Sequence, residues 1–314
     1  MDFVSFVSTF TMSLPGALSQ GVLWGIMALG VYITYKILDF PDLTVDGSFA
    51  LGGAVSAVLV TRINPIFAVI LASLAGMMAG VVTGFLHTKL KITGLLAGIL
   101  TMIALYSVNL HVMGKPNVSL LHINTVFTRV TNFLSAHNIQ GIWGSLILEL
   151  IIAFFLILIM YYFFGTELGI AIRATGDNPD MIRALGSNTD LMKFIGLIFS
   201  NGLVGLAGGL VAQNQGFADI QMGVGTIVIG LASVIIGDVI FGRFNFFIRF
   251  FGAVAGSIIY RIIMSFILCL QIGSFRVDPN DLKLVTAIIV AAALALPVLK
   301  NLFKNNRGTQ NAKN

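Results

Sequence analysis

The sequence predicts an all-α polytopic membrane protein with about 8 to 9 transmembrane helices, a broken second span and a short helix in a cytoplasmic loop. Of the 314 residues, 57% are hydrophobic and only 10% are charged, and the mean hydropathy is +0.96. Apolar runs of membrane-spanning length alternate along the chain with short polar segments. Because soluble domains do not have this composition, we expect one membrane domain over residues 1–314.

The first span is predicted from about Leu14 to Leu38. Its glycines recur every four or five residues, a spacing typical of membrane helices that pack closely. The residues before it, Met1 to Met12, contain no Lys or Arg. The basic n-region of a secretory signal is therefore missing, and we expect no cleavage.

Three carboxylates, Asp39, Asp42 and Asp46, lie in or beside the predicted second span. A charge at membrane depth is costly, so each is expected to face water, a partner or a helix end. Asp39 is expected in a solvated turn. For Asp46 two interpretations remain: it caps a helix that begins at Gly47, or it lines a substrate path with Phe49 beside it. The break predicts either two full crossings or a re-entrant pair.

The later spans contain glycines for close packing and polar residues that edge a path or stabilise the core. The predicted spans are Gly47–Val60, Ile66–Leu86, Gly94–Val112, Ile142–Phe164, Phe194–Val211, Gly223–Phe241, the apolar run that ends near Leu270, and Leu284–Leu299. The predicted packing glycines are Gly76, Gly80, Gly84, Gly205, Gly208 and Gly209. The candidate path residues are Asp42, Asp46, Phe49, Asn109, Asn201 and Arg261.

Two charged residues inside these spans have open roles. Glu149 serves either as a core hydrogen-bonding group or as a substrate contact. Arg261 either pairs with a structural carboxylate, such as Asp238 or Glu149, or binds the carboxylate of a zwitterionic solute whose ammonium group faces Asp46.

The longest polar run between apolar spans covers residues 165–190 and predicts a short helix. Asn178 and Pro179 indicate its start, and Gly186 indicates its end. The other residues assigned to it are Asp180, Met181, Ile182, Arg183 and Leu185, and Met181, Ile182 and Leu185 are expected to form one apolar face on its surface. A helix of about seven residues is too short to be stable alone, so it packs on the membrane helices or on a partner. A solvated connecting loop is the alternative.

The distribution of Lys and Arg predicts the orientation. With the N-terminus outside and the C-terminus in the cytoplasm, most of the 18 basic residues fall on the inner side. Residues 114–141 then form an external loop with an amphipathic helix from about Val126 to Leu134. Residues 300–314 form a cytoplasmic tail.

Several function classes are excluded by what the sequence lacks. It has no phosphate loop, no dinucleotide fingerprint and no clustered Cys and His residues, so we expect no catalytic site, no metal and no cofactor on this chain. The single Cys269 makes no internal disulfide. Basic residues are scattered along helix ends, which argues against nucleic acid binding. Membrane lipid is the expected surroundings.

The segment from Gly169 to Asn188 reads GxAIRATGDNPxMIRALGxN and resembles the coupling loop of bacterial ATP-binding-cassette permeases of the branched-chain amino acid and ribose type. The break at residues 39–46 is similar to that of the subgroup that includes tryptophan and tyrosine permeases. The resemblance implies a single transmembrane permease domain in the bacterial plasma membrane, with residues 165–190 as coupling loop. It also implies partners: two ATPase subunits that bind ATP and Mg, a second permease copy, and an extracytoplasmic substrate-binding lipoprotein.

Two transport mechanisms remain open at this point. In the first, the chain is the permease subunit of an importer that works by alternating access and moves a small solute, an amino acid, with an aromatic one implied by the subgroup resemblance. In the second, it is an ion-coupled secondary transporter in which Asp42, Asp46 and Glu149 carry protons or sodium. A membrane enzyme is a distant third.

Overall fold

The computed structural model describes residues 3–135, 141–242, 244–269, 271–272, 275–276, 284–291 and 295. It confirms an all-α membrane protein. The helices are α1 (Phe3–Tyr32), α2 (Thr44–Val60), α3 (Pro65–Thr88), α4 (Gly94–Met113), α5 (Val126–Ser135), α6 (Gly141–Gly165), α7 (Glu167–Asp177), α8 (Pro179–Ala184), α9 (Thr189–Gln215), α10 (Thr226–Phe241) and α11 (Phe246–Cys269). The antiparallel strand pairs are β1 (Asn117–Ser119) with β2 (Phe217–Asp219), and β3 (Gln271–Ile272) with β4 (Phe275–Arg276).

Within the described residues, six helices are long and apolar enough to cross a membrane. They are α1 with the π-helical turn Ile33–Ile37 that follows it, α3, α4, α6, α9 and α11. Two shorter apolar helices, α2 and α10, complete the bundle. Residues 284–291 and 295 are also helical, whereas the rest of the predicted last span and the tail at 300–314 lie outside the described residues.

Helices α1, α2 and α9 have the relative directions that the predicted topology requires. Ser19 of α1 lies beside Asn214 of α9, and Gly30 accepts a hydrogen bond from Ser200, so α1 runs antiparallel to α9. Helix α2 runs parallel to α9, because Ser56 near its end bonds Gln213. Helices α1 and α2 therefore form an antiparallel pair.

The break in the second span lies deep in the bundle. Helix α2 begins at Thr44, three residues before the predicted start. The turn before it passes through Asp39, whose φ of 49° lies in the left-handed region, and reaches Asp42, which bonds Asn201 in the middle of α9. The 17 residues of α2 extend about 26 Å at 1.5 Å per residue, less than the roughly 30 Å hydrocarbon core.

Helices α1 and α9 form the centre of the bundle. In their most apolar windows 78% and 72% of the residues are buried, against 22% in α6. Glycines let neighbours approach α9 closely. A Cβ on Gly76 of α3 would overlap the carbonyl oxygen of Asn201, and one on Gly52 of α2 would overlap that of Gly205. The α3 stripe continues through Gly80, which faces Leu197. These sites exclude any side chain larger than hydrogen.

The two ends of the bundle are built differently. At one end, called the ladder end, β1 pairs with β2 and joins the loop after α4 to the segment after α9. The amphipathic α5, close to its predicted limits, is part of the same loop. At the opposite end, called the α8 end, lie α7 and α8. Helix α7 was not predicted, because only the second half of the run at 165–190 was assigned to a helix.

Candidate functional site

Two cavities between the helices contain charged side chains, and each is partly lined by exposed residues. The first, called the Arg261 cavity, has a volume of about 350 Å³ and lies between α1, α6, α9 and α11. The second, called the Asp46 cavity, has a volume of about 400 Å³ and lies between α2, α4 and residues 220–224. Both fall in the range of roughly 300 to 1,000 Å³ that is usual for small-molecule sites.

Arg261 projects from α11 towards α1 and lines its cavity. The guanidinium carbon lies 4.1 Å from the centre of the Trp24 ring, a cation–π contact. The buried Nε has no hydrogen-bond partner in the described part of the chain. Trp24 is supported from behind by Phe49, with ring centroids 5.3 Å apart. The candidate Phe49 therefore packs behind the wall of the Arg261 cavity.

Glu149 of α6 is completely buried beside the same cavity. Its Oε1 accepts hydrogen bonds from Ser19 (2.8 Å) and Asn214 (3.2 Å), and both of these residues line the cavity. Its Oε2 has no partner among the described residues. One carboxylate oxygen is thus satisfied by the fold and the other is free to accept.

Of the two alternatives for Arg261, pairing with a structural carboxylate is not found among the described residues. Asp238 pairs with Lys36 at 3.0 Å, near the α8 end. No ion pair within 4.0 Å joins Arg261 to Glu149 in the described part of the chain. Stacking on Trp24 takes the place of the expected ion pair.

Asp46 caps a helix, but not its own. Because α2 begins at Thr44, the predicted capping of a helix that starts at Gly47 is wrong. The carboxylate instead accepts hydrogen bonds from three groups at the start of α10. The donors are Gly225 N (2.9 Å), Thr226 Oγ1 (2.9 Å) and Ile227 N (2.8 Å). A negative charge at a helix N-terminus is favourable, so Asp46 fixes α10 to α2.

Asp42 and Asn201 form a buried network at the break. Asp42 accepts from Thr44 N (2.9 Å) and from Asn201 Nδ2 (2.8 Å), and Asn201 Oδ1 accepts from Ser48 (2.7 Å). Asn109 donates to the carbonyl of Gly47 at 3.3 Å. Asn109 and Gly47 line the Asp46 cavity, whereas Asp42 and Asn201 line neither cavity.

The six candidate path residues therefore do not meet at one place. Asp46 and Asn109 share one cavity, Arg261 lines the other, and Phe49 lies behind Trp24. A single zwitterion cannot bridge Asp46 and Arg261 within either cavity, because each cavity contains one of the two groups. The sequence argument missed Trp24 and Ser19, whose positions on the cavity wall depend on contacts distant in the chain.

Helix α8 has the termini that the sequence predicts. Asn178 Oδ1 accepts from Met181 N at 3.0 Å, Pro179 occupies the first turn, and Gly186 adopts a left-handed φ of 84°. Arg183 bonds Asp180 on the helix surface.

The three apolar side chains of α8 do not share an exposed face. Ile182 is 7% exposed and packs inward, whereas Met181 is 50% and Leu185 is 72% exposed. The expectation that Ile182 belongs to an exposed surface is corrected. Leu168 and Ile170 of α7 are exposed as well, at 50% and 54%.

The described residues contain no group of three or more His, Cys, Asp or Glu side chains suited to a metal ion. Long apolar helices, a broken span and polar cavities inside the bundle define a multi-pass membrane transport protein. Residues 13–299 match the family described as branched-chain amino acid transport system / permease component, and the chain belongs to this family.

Two proteins named as permeases and one uncharacterised protein are similar to this chain. A tyrosine transport system permease protein of Clostridioides difficile is 43% identical over 279 residues, which cover 88% of this chain and 89% of the relative. An uncharacterised protein of Rickettsia prowazekii is 38% identical over 283 residues, 89% of this chain and 95% of the relative. A probable branched-chain amino acid transport permease protein of Methanocaldococcus jannaschii is 26% identical over 208 residues, 64% and 65% of the two chains. No solved structure gives a significant match.

Proposed function

We propose that the chain is the transmembrane subunit of an ATP-binding-cassette importer that moves an amino acid, an aromatic one, across the bacterial plasma membrane by alternating access. The family and the tyrosine permease relative, which aligns over most of both chains, support an amino acid as solute. The sequence has no nucleotide-binding motif, so ATP and Mg bind to separate ATPase subunits. In this proposal the α8 end faces the cytoplasm and the N-terminus lies outside, as the positive-inside rule predicts.

The observation that carries the proposal is the apolar surface of α7 and α8. Leu168, Ile170, Met181 and Leu185 are each at least half exposed on short helices beyond the ends of the long spans. Burying one such side chain contributes roughly 1.5 to 3 kcal/mol. A partner that covers the surface gains this energy, and an ATPase on the cytoplasmic side would use it to transmit its motion.

The proposed assembly has two copies of this chain and two ATPase subunits. One chain carries one α7–α8 segment, so two copies provide one docking segment for each ATPase. A substrate-binding lipoprotein delivers the solute at the ladder end. The outward faces of α3, α4 and α6, which expose large apolar residues, contact lipid and the second copy.

Replacement of Leu185 by Asp tests the coupling role. Co-expressed with the ATPase encoded beside it, the wild-type chain is expected to co-purify that ATPase. The variant loses one buried apolar contact and places a charge in the interface, so recovery should fall at least about 10-fold. Substrate-stimulated ATP hydrolysis should fall in parallel.

Leu121→Asp is the matched control. Leu121 is 73% exposed at the ladder end, nearly the same fraction as Leu185, and receives the same charge. It should leave ATPase recovery unchanged. Equal recovery of the ATPase with Leu185→Asp and with wild type would show that α8 is only a connector.

The ion-coupled alternative rests on the free Oε2 of Glu149, which can carry a proton. ATP-driven uptake in vesicles that hold the complex distinguishes the two mechanisms. Uptake that continues after a protonophore collapses the proton gradient and stops without ATP supports the importer. Uptake that requires the gradient and not ATP supports the alternative.

A further inference from the structure

We infer that the Arg261 cavity is an amino acid binding site inside the permease, in which Arg261 binds the carboxylate and Glu149 binds the ammonium group of one zwitterion. The inference rests on the proposed amino acid transport and adds a site to it. It places solute selection within this chain, in addition to any selection by a delivery protein.

The guanidinium has the properties of a carboxylate receptor. It carries five N–H donors in one plane, and the Trp24 ring covers its face without using them. The buried Nε has no acceptor in the described part of the chain. A cation at membrane depth is costly unless it is paired, and an incoming carboxylate supplies the missing partner.

Glu149 has the complementary property. Ser19 and Asn214 hold Oε1 and so fix the carboxyl group beside the cavity. Oε2 has no donor among the described residues. An ammonium group offers three donors, and one of them completes the bonding of this oxygen. The wall of the cavity therefore contains a donor on α11 without a described partner, and an acceptor on α6 without a described partner lies directly behind the wall residues Ser19 and Asn214.

The rest of the cavity wall suits a solute whose side chain is mostly apolar and has few polar groups. Leu23, Ile142 and Val211 line it, and Trp24 presents an aromatic edge. Gln20 and Ser145 add hydrogen-bonding groups. A volume of about 350 Å³ lies near the lower limit of small-molecule sites, which fits one amino acid better than a peptide.

The position of the cavity suits a solute in transit. Its walls belong to the two central helices, α1 and α9, and to α6 and α11. On α9 they lie at Val211, Asn214 and Gln215, in the last turns before the ladder end. A solute released at this end reaches the cavity before it reaches the break at Asp42.

The experiment measures equilibrium binding of radiolabelled L-tyrosine to the full-length chain in lipid nanodiscs. Two competitors each keep only one of the two charged groups of tyrosine. Tyramine lacks the carboxylate, and 3-(4-hydroxyphenyl)propionate lacks the ammonium group. Wild type should bind tyrosine saturably and prefer it to each competitor by about 10- to 100-fold, the effect of one charge-assisted hydrogen-bonded pair. L-leucine as a third competitor measures the contribution of the aromatic ring.

Two variants assign the charges. Arg261→Gln should lose the preference for tyrosine over tyramine and keep the preference over the propionate. Glu149→Gln should show the reverse pattern. A general loss of structure weakens all ligands together, so this exchange of preferences distinguishes a binding role from a structural one. Arg249→Gln is the control: it removes a charge from the same helix at the site where Arg249 bonds the Phe244 carbonyl.

The inference is overturned if wild type shows no saturable tyrosine binding, or if either variant keeps both preferences. The proposed importer is tested separately by ATPase recovery. Normal recovery without tyrosine binding rejects the cavity as a site and leaves the importer standing. Tyrosine binding without ATPase recovery rejects the importer and supports the cavity as a binding site.

Discussion

The break in the second span and the Arg261 cavity both place charged groups inside the bundle, but they treat these charges differently. At the break, both oxygens of Asp42 and both oxygens of Asp46 accept hydrogen bonds from the chain itself. In the cavity, Glu149 and Arg261 each keep a buried polar atom without a partner among the described residues. The first arrangement stabilises the fold, and the second leaves bonding capacity for a solute.

This difference separates two roles that a sequence presents in the same way. Four charged residues lie in apolar stretches of the sequence: Asp42, Asp46, Glu149 and Arg261. Because placing a charge at membrane depth costs free energy, the sequence indicates a function for each of them. The two roles are distinguished by whether the polar atoms of each side chain have hydrogen-bond partners in the described part of the chain. Removing a satisfied charge should harm stability first, whereas removing an unsatisfied one should harm binding first.

The largest expected effect is on Asp42. Asp42→Ala leaves the Thr44 amide and the Asn201 side chain without their acceptor inside the core. Each buried unsatisfied group costs about 1 to 3 kcal/mol, so the loss should be roughly 2 to 6 kcal/mol. Thermal unfolding in detergent, followed by size-exclusion chromatography with fluorescence detection, should show a large fall in the unfolding temperature.

Asp39→Asn is the control for Asp42→Ala. Asp39 lies exposed in the same turn, and Asn also tolerates its left-handed backbone. It should unfold at the wild-type temperature. An unchanged unfolding temperature for Asp42→Ala would remove the distinction between the two regions.

Asp46 comes next in expected size. Asp46→Ala removes the cap of α10 and should cost about 0.5 to 2 kcal/mol. Asp46→Asn keeps one oxygen as acceptor for Thr226 or Ile227, so it should cost less than the Ala variant. Unfolding temperature and tyrosine uptake are measured for both. If the Asp46→Asn protein is stable but has lost uptake, Asp46 belongs with the residues that bind solute and not with those that stabilise the fold. This result would support its place in a substrate path.

The sequence was sufficient where structure depends on local chemistry. Hydropathy located the long spans, and Asn178, Pro179 and Gly186 marked both ends of α8. Each of these features depends on residues within a few positions of one another, so no tertiary contact is needed to infer them.

The site could be predicted only in part, because its contacts join distant residues. Asp46 accepts a hydrogen bond from the start of α10, some 180 positions later in the chain. The sequence around Gly225 does not indicate this contact. The burial of the Ile182 side chain depends on the helices against which α8 packs. Helix α7 mixes polar and apolar residues, and its Ile172 is buried where the helix packs on its neighbours α6 and α9, contacts that the sequence pattern does not reveal.

The smallest stability effect is expected at Glu149, and it sharpens the comparison most. In Glu149→Gln the amide oxygen can still accept from Ser19 and Asn214, while the amide nitrogen replaces the oxygen that has no described partner. The variant also removes a buried charge, whose desolvation is costly. The unfolding temperature should therefore stay the same or rise, while tyrosine binding falls about 10-fold or more. Asp42→Ala should lose both properties together. If Glu149→Gln unfolds at a markedly lower temperature, its Oε2 has a stabilising partner, and Glu149 belongs with Asp42 as a residue of the fold.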